Sequence, residues 1–301
     1  MELRKKIYPI EKCFRLIFSE GDFLPGLIVD IYDKVIVIQI QTLGMEKVKS
    51  FIIEALKDLF NPSAIILKND SLIRQEEELE LYVEIAYGKT EEIILVEMDE
   101  IKFLIPIIKG QKTGFFLDQR ENRKVIKNLI KPDVILDVFS YTGGFSFYAL
   151  KSGAKEAYLL ERSEFALDLA KEIAKLNGWK DRIIPILGDA FQILKNPPKA
   201  DLIVLDPPAF IKSQKDFKEG IKKYQTLYFL GTKAIKEGFL LAFSCSYFLK
   251  IETLKKFIQN NLKKLNKEGK IIFYGYQAPD HPVNPFIEET LYLKGIGIYI
   301  K

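Results

Sequence analysis

From about residue 133 the chain alternates short apolar runs with stretches of helical periodicity. Runs near 134–138, 156–161, 182–187, 201–206, 239–244, 270–275 and 291–298 have the length of buried strands, and helical patterns separate the first six. That alternation predicts an α/β fold, a Rossmann-like, doubly wound and mostly parallel sheet of seven strands. The first third reads differently. Residues 26–30 and 35–40 flank Tyr32-Asp33-Lys34 like the arms of a hairpin, and 46–60 carries apolar residues at helical spacing. Residues 1–110 are therefore expected to form a smaller N-terminal α+β domain, with 111–301 as the second domain. The acid run 76–80 is expected as a solvated face. Between the two patterns, residues 109–123 are polar, basic and aromatic at once and run into a helical pattern over 124–130.

In a doubly wound sheet ligands sit beyond the carboxyl ends of the strands, so chemistry is sought there. The first strand ends in Asp137, and Gly143-Gly144 then permits a tight turn into a helix whose free N–H groups favour a polar ligand. The G-x-G-x-x-G spacing of a dinucleotide fold is absent, which disfavours NAD. Glu161 ends the second strand, 24 residues after Asp137, where an acid can accept two hydrogen bonds from a ribose diol or serve only the start of a helix. Asp189, after the third strand, is placed either to meet an adenine amino group or to cap the next helix. The fourth strand runs into Asp206-Pro207-Pro208-Ala209-Phe210. Two prolines there stiffen a loop, and a rigid acid with an aromatic four residues on can bond and stack a planar heterocycle. The fifth strand delivers Ser244-Cys245-Ser246. Cys13 reads as a small core residue, whereas Cys245 stands where a thiol can be partly exposed and activated by nearby lysines.

Composition narrows the setting without naming the ligand. Of 301 residues, 48% are apolar and 29% charged, which describes a globular chain. No apolar run is long enough to span a membrane and no secretory segment follows the lysine-rich start, so a cytoplasmic location with no membrane partner is expected. Two distant cysteines make neither a metal spacing nor a disulfide framework. The net charge is +4, with the excess in the second part: residues 1–132 carry 20 Lys/Arg against 22 Asp/Glu, and 133–301 carry 25 against 19. The basic stretch 211–224, including Lys212 and Lys215 with Phe217 and Tyr224 interleaved, follows the Asp206 loop and is suited to walling a phosphate backbone.

Five blocks in order now carry a resemblance. They are Gly110-Gln-Lys-Thr-Gly-Phe-Phe-Leu-Asp-Gln-Arg120, Phe139-Ser-Tyr-Thr-Gly-Gly-Phe145, Asp206-Pro-Pro-Ala-Phe210, Phe243-Ser-Cys-Ser246, and Asp280-His-Pro-Val283 followed by Leu291-Tyr-Leu-Lys-Gly295. In these the chain resembles the class I S-adenosylmethionine-dependent methyltransferases, and within them the large-subunit (23S) ribosomal RNA cytosine-C5 methyltransferases of the RlmI type. Upstream, Phe14-Arg-Leu and Gly21–Asp30 look like that family's central domain. Many members open with a PUA RNA-binding domain, and this chain is expected to start after it. The resemblance implies S-adenosyl-L-methionine as cofactor, with its methionine part cradled by Asp137, Phe139, Tyr141, Gly143 and Gly144, its ribose by Glu161 and its adenine by Asp189. It also implies that Asp118 and Gln119 close over the cofactor, and Phe116 and Arg120 over the target base, beside Pro207, Pro208 and Phe210.

Carbon 5 of cytosine is a poor nucleophile, and a thiolate adding at carbon 6 makes it enamine-like. Cys245 is thus expected as the nucleophile, with Asp206 at the N3 edge of a base that has left its stack. The broader class often carries a second cysteine in the block matching 206–210; this chain has none there. His281 has both a proton-transfer and a structural reading and is not counted among the catalytic residues. A methyltransferase acting on an exocyclic nitrogen in RNA has no use for Cys245. A ribosome-assembly factor that binds the cofactor without turnover is the reading from another class. Ribosomal RNA, free or partly assembled, is the expected partner, and a homodimer is left open.

Overall fold

The computed structural model of the chain describes residues 2–301. Two compact units share it: Met1–Asp118 with Ala278–Thr290, and Gln119–Gln277 with Leu291–Lys301.

After helix α1 (Glu2–Ile7), the first unit builds a five-stranded sheet in chain order from β1 (Cys13–Phe18), β2 (Leu27–Tyr32), β3 (Val35–Ile40), β4 (Ala64–Asn69) and β5 (Tyr82–Gly88). The expected hairpin is β2–β3, paired antiparallel from Leu27–Ile40 to Tyr32–Val35, and Asp33 takes the left-handed conformation that closes it. β3 and β4 are parallel and need a crossover, which helices α2 (Leu43–Lys47) and α3 (Lys49–Phe60) supply. The single helix expected over 46–60 is thus two helices, broken at Val48. The acid run 76–80 is exposed, as expected, apart from half-buried Leu79. A second hairpin, β6 (Ile93–Met98) with β7 (Ile101–Pro106), turns on Asp99-Glu100, both left-handed. Two consecutive positive φ angles are what a right-twisted two-residue turn requires.

Ion pairs knit this unit. Arg15 holds Asp30 with both arms (2.8 and 2.7 Å), and Thr113 donates to the same carboxylate (2.5 Å). The backbone N–H of Arg15 donates to one oxygen of Asp280, whose other oxygen meets Nδ1 of His281 at 2.8 Å. His281 is buried there, which is the geometry of its structural reading. Breaking such a buried pair by removing one partner costs about 3–5 kcal/mol.

In the second unit, α4 (Arg120–Val125) passes into one π-helical turn (Ile126–Ile130) before the sheet begins. The strands are β8 (Val134–Val138), β9 (Glu156–Glu161), β10 (Ile183–Leu187), β11 (Leu202–Leu205), β12 (Gly238–Ser244), β13 (Gly269–Tyr276) and β14 (Lys294–Ile300). Their order is β10-β9-β8-β11-β12-β14-β13, with β14 antiparallel to both neighbours. This is the Rossmann-like, seven-stranded fold the alternation predicts. Helices α5 (Gly144–Lys151) and α6 (Glu164–Leu176) follow the first two strands, and α7 (Ala190–Ile193), α8 (Phe217–Ala234) and α9 (Ile251–Leu265) follow the next three.

The period of two along each strand decides which helix covers which face. Leu136, Val138, Leu205, Leu240 and Ala242 point into one core with Leu227, Tyr228, Leu254 and Ile258 of α8 and α9. Ile135 and Leu159, on the alternating positions, are equally buried on the side of α5. Burial of each such aliphatic side chain contributes about 1.5–3 kcal/mol. With both faces covered, the chain has its carboxyl strand ends left over for chemistry, and its order reverses between β8 and β11.

Candidate active site

Asp137 stands at that reversal and is 1% exposed. Its Oδ2 accepts the Ser146 backbone N–H (3.0 Å) and hydroxyl (2.9 Å), so the carboxylate caps the first turn of α5. Oδ1 has no hydrogen-bond partner. Burial pushes this carboxyl up to about 6; the Ser146 bonds and the Arg123 guanidinium oppose the rise, and Glu161 adds to it. The following loop is strained. Phe139 and Tyr141 have φ of 64° and 49°, and Gly143 has 86°. The Phe139 and Ser140 N–H groups donate to Leu160 O (2.9 and 3.2 Å), and the Tyr141 N–H donates to Oε2 of Glu161 (3.0 Å). The hydroxyls of Ser140 and Thr142, buried in this loop, lack a partner, like Oδ1 of Asp137. Buried polar atoms are nearly always bonded, so three around one strained loop mark a place where a ligand completes the bonding.

Glu161 does more than its position in the sequence suggests. Besides Tyr141, it accepts the N–H groups of Arg162 (2.8 Å) and Ser163 (3.0 Å), so it braces the Phe139–Gly143 loop while remaining half-buried. Gly144 makes room for a side chain: a Cβ there would stand 2.8 Å from Nε of Arg123. Arg123 is buried, lies over the Phe145 ring at 5.6 Å, and opposes the rise in Asp137. Nothing local in the sequence singles it out. Asp189 caps α7, accepting the Gln192 N–H at 3.2 Å, and is half-buried.

Across the reversal, Asp206 follows β11 and Cys245 follows β12, which run parallel and adjacent. Gln119 donates from Nε2 to Oδ1 of Asp206 at 2.9 Å. Asn122 orients that amide, since its Nδ2 donates to Oε1 of Gln119 (2.6 Å) and to Tyr276 O (3.0 Å). Gln119, which the resemblance assigns to the cofactor, thus stands on Asp206. Cys245 is half-buried, with Sγ donating to the carbonyl of Pro207 at 3.8 Å. The chain on either side of Cys245 is tied down. Tyr224 OH and Ser246 Oγ are 2.8 Å apart, the Ile211 N–H donates to Ser246 Oγ (3.2 Å), and the Phe210 N–H donates to Tyr224 OH (3.3 Å). Tyr228 OH donates to Phe243 O at 2.8 Å. Burial pushes Tyr224 up to about 12, so it stays a neutral phenol.

Tyr224 is the clear departure from the sequence expectation. Set among lysines it reads as part of a basic wall, yet it is fully buried, because α8 turns it under the Asp206 loop. Lys212 and Lys215 are exposed, and Phe217 is 37% exposed. Phe210 is half-buried among Phe139, Phe191 and Tyr224, with ring centroids 6.4, 6.0 and 4.8 Å away. Pro207 is buried and Pro208 exposed. Arg120 is buried in α4. Phe116 and Asp118 belong to the first unit, where Lys112 lies over the Phe116 ring at 4.5 Å and donates to Asp118 at 3.3 Å.

Comparison with known proteins identifies the family and the fold. Residues 77–245 match the family described as S-adenosylmethionine-dependent methyltransferase. The chain is similar to the ribosomal RNA large subunit methyltransferase I of Aeromonas salmonicida, 35% identical over 292 residues, covering 95% of this chain and 74% of that protein. It is 36% identical to the protein of the same name from Tolumonas auensis, covering 95% and 74%. Among solved structures, one described as a candidate methyltransferase in complex with SAH superposes with a TM-score of 0.84 at 22% identity, over 99% of this chain and 78% of that one. The tRNA m1G37 methyltransferase of M. jannaschii superposes with a TM-score of 0.64 at 19% identity, over 100% and 77%. The two structures speak for the fold alone.

Proposed function

The chain belongs to the S-adenosylmethionine-dependent methyltransferases, and from that premise we propose that it forms 5-methylcytidine in large-subunit ribosomal RNA through a bond between Cys245 Sγ and carbon 6 of the base. The observation that carries the reading is the pairing of a half-buried thiol with an acid-Pro-Pro loop at the ends of adjacent parallel strands, Sγ lying 3.8 Å from Pro207 O. Ribosomal RNA is the substrate named for the relatives.

The residues after β8 and β9 fit the cofactor. Asp137 Oδ1, Ser140 Oγ and Thr142 Oγ1 are buried and lack partners, as a cradle for an amino-acid moiety requires. Glu161 and Asp189 are half-buried at the next two strand ends, where a ribose and a base are met. Bound there, S-adenosylmethionine supplies an electrophilic methyl group to carbon 5 of the target.

The protein's share of the reaction follows from its side chains. Cys245 loses its proton to solvent and the thiolate adds at carbon 6, which drives the electron pair of the ring double bond toward carbon 5 and N3. Asp206, held by the Gln119 amide, accepts a hydrogen bond from the amino group beside N3 and so fixes the ring against the methyl donor. Once carbon 5 bears the new methyl group, loss of its proton to water restores the ring double bond and expels Cys245 as thiolate. The Ser246–Tyr224 bonds keep Sγ from drifting with the loop. Lys212, Lys215 and the first unit are assigned to the RNA, the lysines neutralising phosphates.

The test is methyl transfer from labelled S-adenosylmethionine to unmodified large-subunit rRNA, followed by digestion to nucleosides. Label in 5-methylcytidine, abolished in Cys245→Ala, is expected. Label in a nucleoside methylated on an exocyclic nitrogen, or full activity in Cys245→Ala, overturns the covalent reading; cofactor binding with no transfer to any RNA favours the assembly factor.

A further inference from the structure

A buried lysine stands beside the thiol, and the reaction described above leaves it without a task. Lys294 is the first residue of β14, opposite Ser244 in the antiparallel register with β12. Its side chain is 5% exposed and its Nζ donates to the carbonyl oxygen of Ser246 at 2.8 Å. A side chain that starts opposite Ser244 and ends on Ser246 spans the residue between them, which is Cys245. Gly295 assists, because a Cβ there would stand 2.2 Å from the Phe243 ring, so this strand can lie close to β12 only with glycine at that position.

An ammonium taken out of water beside a neutral carbonyl is costly, and an anion next to it offsets the cost. Burial accordingly pulls Lys294 down to about 8, Cys245 pulls it back up, and Lys250, downstream of β12, pulls it further down. Besides Lys294 and Lys250, the titratable groups facing Cys245 come from α8 and from the loop after β11. Tyr224 and Tyr228 approach from α8 as neutral phenols whose ionisation Cys245 disfavours, and Asp206, which also disfavours ionisation of Tyr228, brings a like charge from the loop after β11.

We propose that Lys294 is the positioning residue for the nucleophile: held by Ser246 O, its ammonium stabilises the Cys245 thiolate before addition and again when the thiolate leaves carbon 6. The thiol proton goes to solvent and Lys294 keeps its own, so the pair changes from one positive charge to none. Setting a buried ammonium beside the half-buried thiol favours the thiolate without adding the net charge that burial opposes.

This inference rests on the nucleophile reading of Cys245, yet its test needs neither RNA nor turnover. The rate of iodoacetamide alkylation at Cys245 is followed against pH by peptide mapping in the intact protein, which separates it from buried Cys13. Lys294→Met removes the charge and the donor, Lys294→Gln removes the charge and leaves a neutral donor on a side chain one bond shorter, and Lys294→Arg keeps a cation. The alkylation midpoint is expected to rise by about one pH unit or more in Met and Gln, a tenfold loss of reactivity at neutral pH, and to stay at or below wild type in Arg. Cofactor affinity, measured on the same samples, is expected within twofold of wild type and shows that each variant is folded. If Met fails to fold, Gln alone decides. A midpoint unchanged in a folded neutral variant overturns the proposal, as does a rise in Arg equal to that in Gln. A low thiol midpoint that depends on Lys294, found together with an active Cys245→Ala, would sink the nucleophile reading and leave the ion pair standing.

Discussion

The loops after β8 and β9 and the loops after β11 and β12 lie on the same edge of one sheet but are built on opposite plans. In the first pair, Asp137 and the loop after β8 are strained and short of partners: two aromatic residues at positive φ and three buried polar atoms without a hydrogen bond. The second pair is cross-tied before any ligand arrives, through Asn122, Gln119 and Asp206 on one side and Tyr224, Ser246 and Ile211 on the other. Under the proposed function the difference tracks what each side would have to do. A cofactor site gains affinity by leaving groups for the ligand to satisfy, whereas a thiol and an acid that must meet a base within a few tenths of an ångström gain rate from being held in advance. Substitutions on the two sides should therefore fail in different ways.

The largest separation is expected at Asp206. Asp206→Asn keeps an oxygen for the Gln119 amide, so the loop holds its place while the charge is lost. The turnover number for rRNA methylation should fall about 10²-fold or more, with cofactor affinity within twofold of wild type. Equilibrium binding of the cofactor beside single-turnover rates checks both; a large loss of cofactor affinity would mean that the two sides are not built independently.

The mirror case is Asp137. Its carboxyl is raised from 3.8 to about 6 mainly by burial. An acid raised in the folded state keeps its proton there after the unfolded chain has lost it. Its contribution to stability is therefore complete below about pH 4 and is lost as pH rises through about 6. A rise of that size corresponds to about 3 kcal/mol. Without cofactor, Asp137→Asn should melt higher than wild type at pH 7 and converge with it at pH 4, because an amide oxygen can still accept both Ser146 donors. The same change should weaken cofactor binding about tenfold or more, the charged hydrogen bond being the one removed. Stability gained at pH 7 together with affinity lost is the signature of a site that stores strain for its ligand; a variant less stable than wild type at pH 7 would refute it.

The sequence carries the strand ends and little of what ties them together. Asp137, Glu161, Asp206 and Cys245 each follow an apolar run a few residues long, and a buried strand announces its own end. Arg123 against Gly144, Asn122 against Tyr276 and Lys294 against Ser246 are meetings between distant stretches, with no local periodicity to mark them. The β6–β7 hairpin is hidden for a different reason: Asp99-Glu100 adopts two left-handed conformations without the glycine or asparagine that usually signals them. The break at Val48 leaves the helical spacing of 46–60 almost intact, so period alone passes over it. Tyr224 was hidden by its neighbours, since a run of lysines looks like one face until the helix assigns every third or fourth residue to the core.

Tyr224 also offers the finest test of the contrast. Its hydroxyl bridges the Phe210 N–H and Ser246 Oγ, and so joins the loop that carries Asp206 to the strand end that carries Cys245. Tyr224→Phe deletes one oxygen, keeps the ring against Phe210 and Tyr228, and leaves Ser246 Oγ with the Ile211 N–H. Stability should drop by about 1 kcal/mol, the usual net value of a buried hydrogen bond. Methylation should slow several-fold more than that loss accounts for, because the two halves of the base site can then move apart, and cofactor affinity should not change. If the variant loses stability but keeps the wild-type rate, the cross-tie is architectural and Sγ is held by other means. If rate and cofactor affinity fall together, the prebuilt base site and the strained cofactor loop are one mechanical unit, and the contrast between them dissolves.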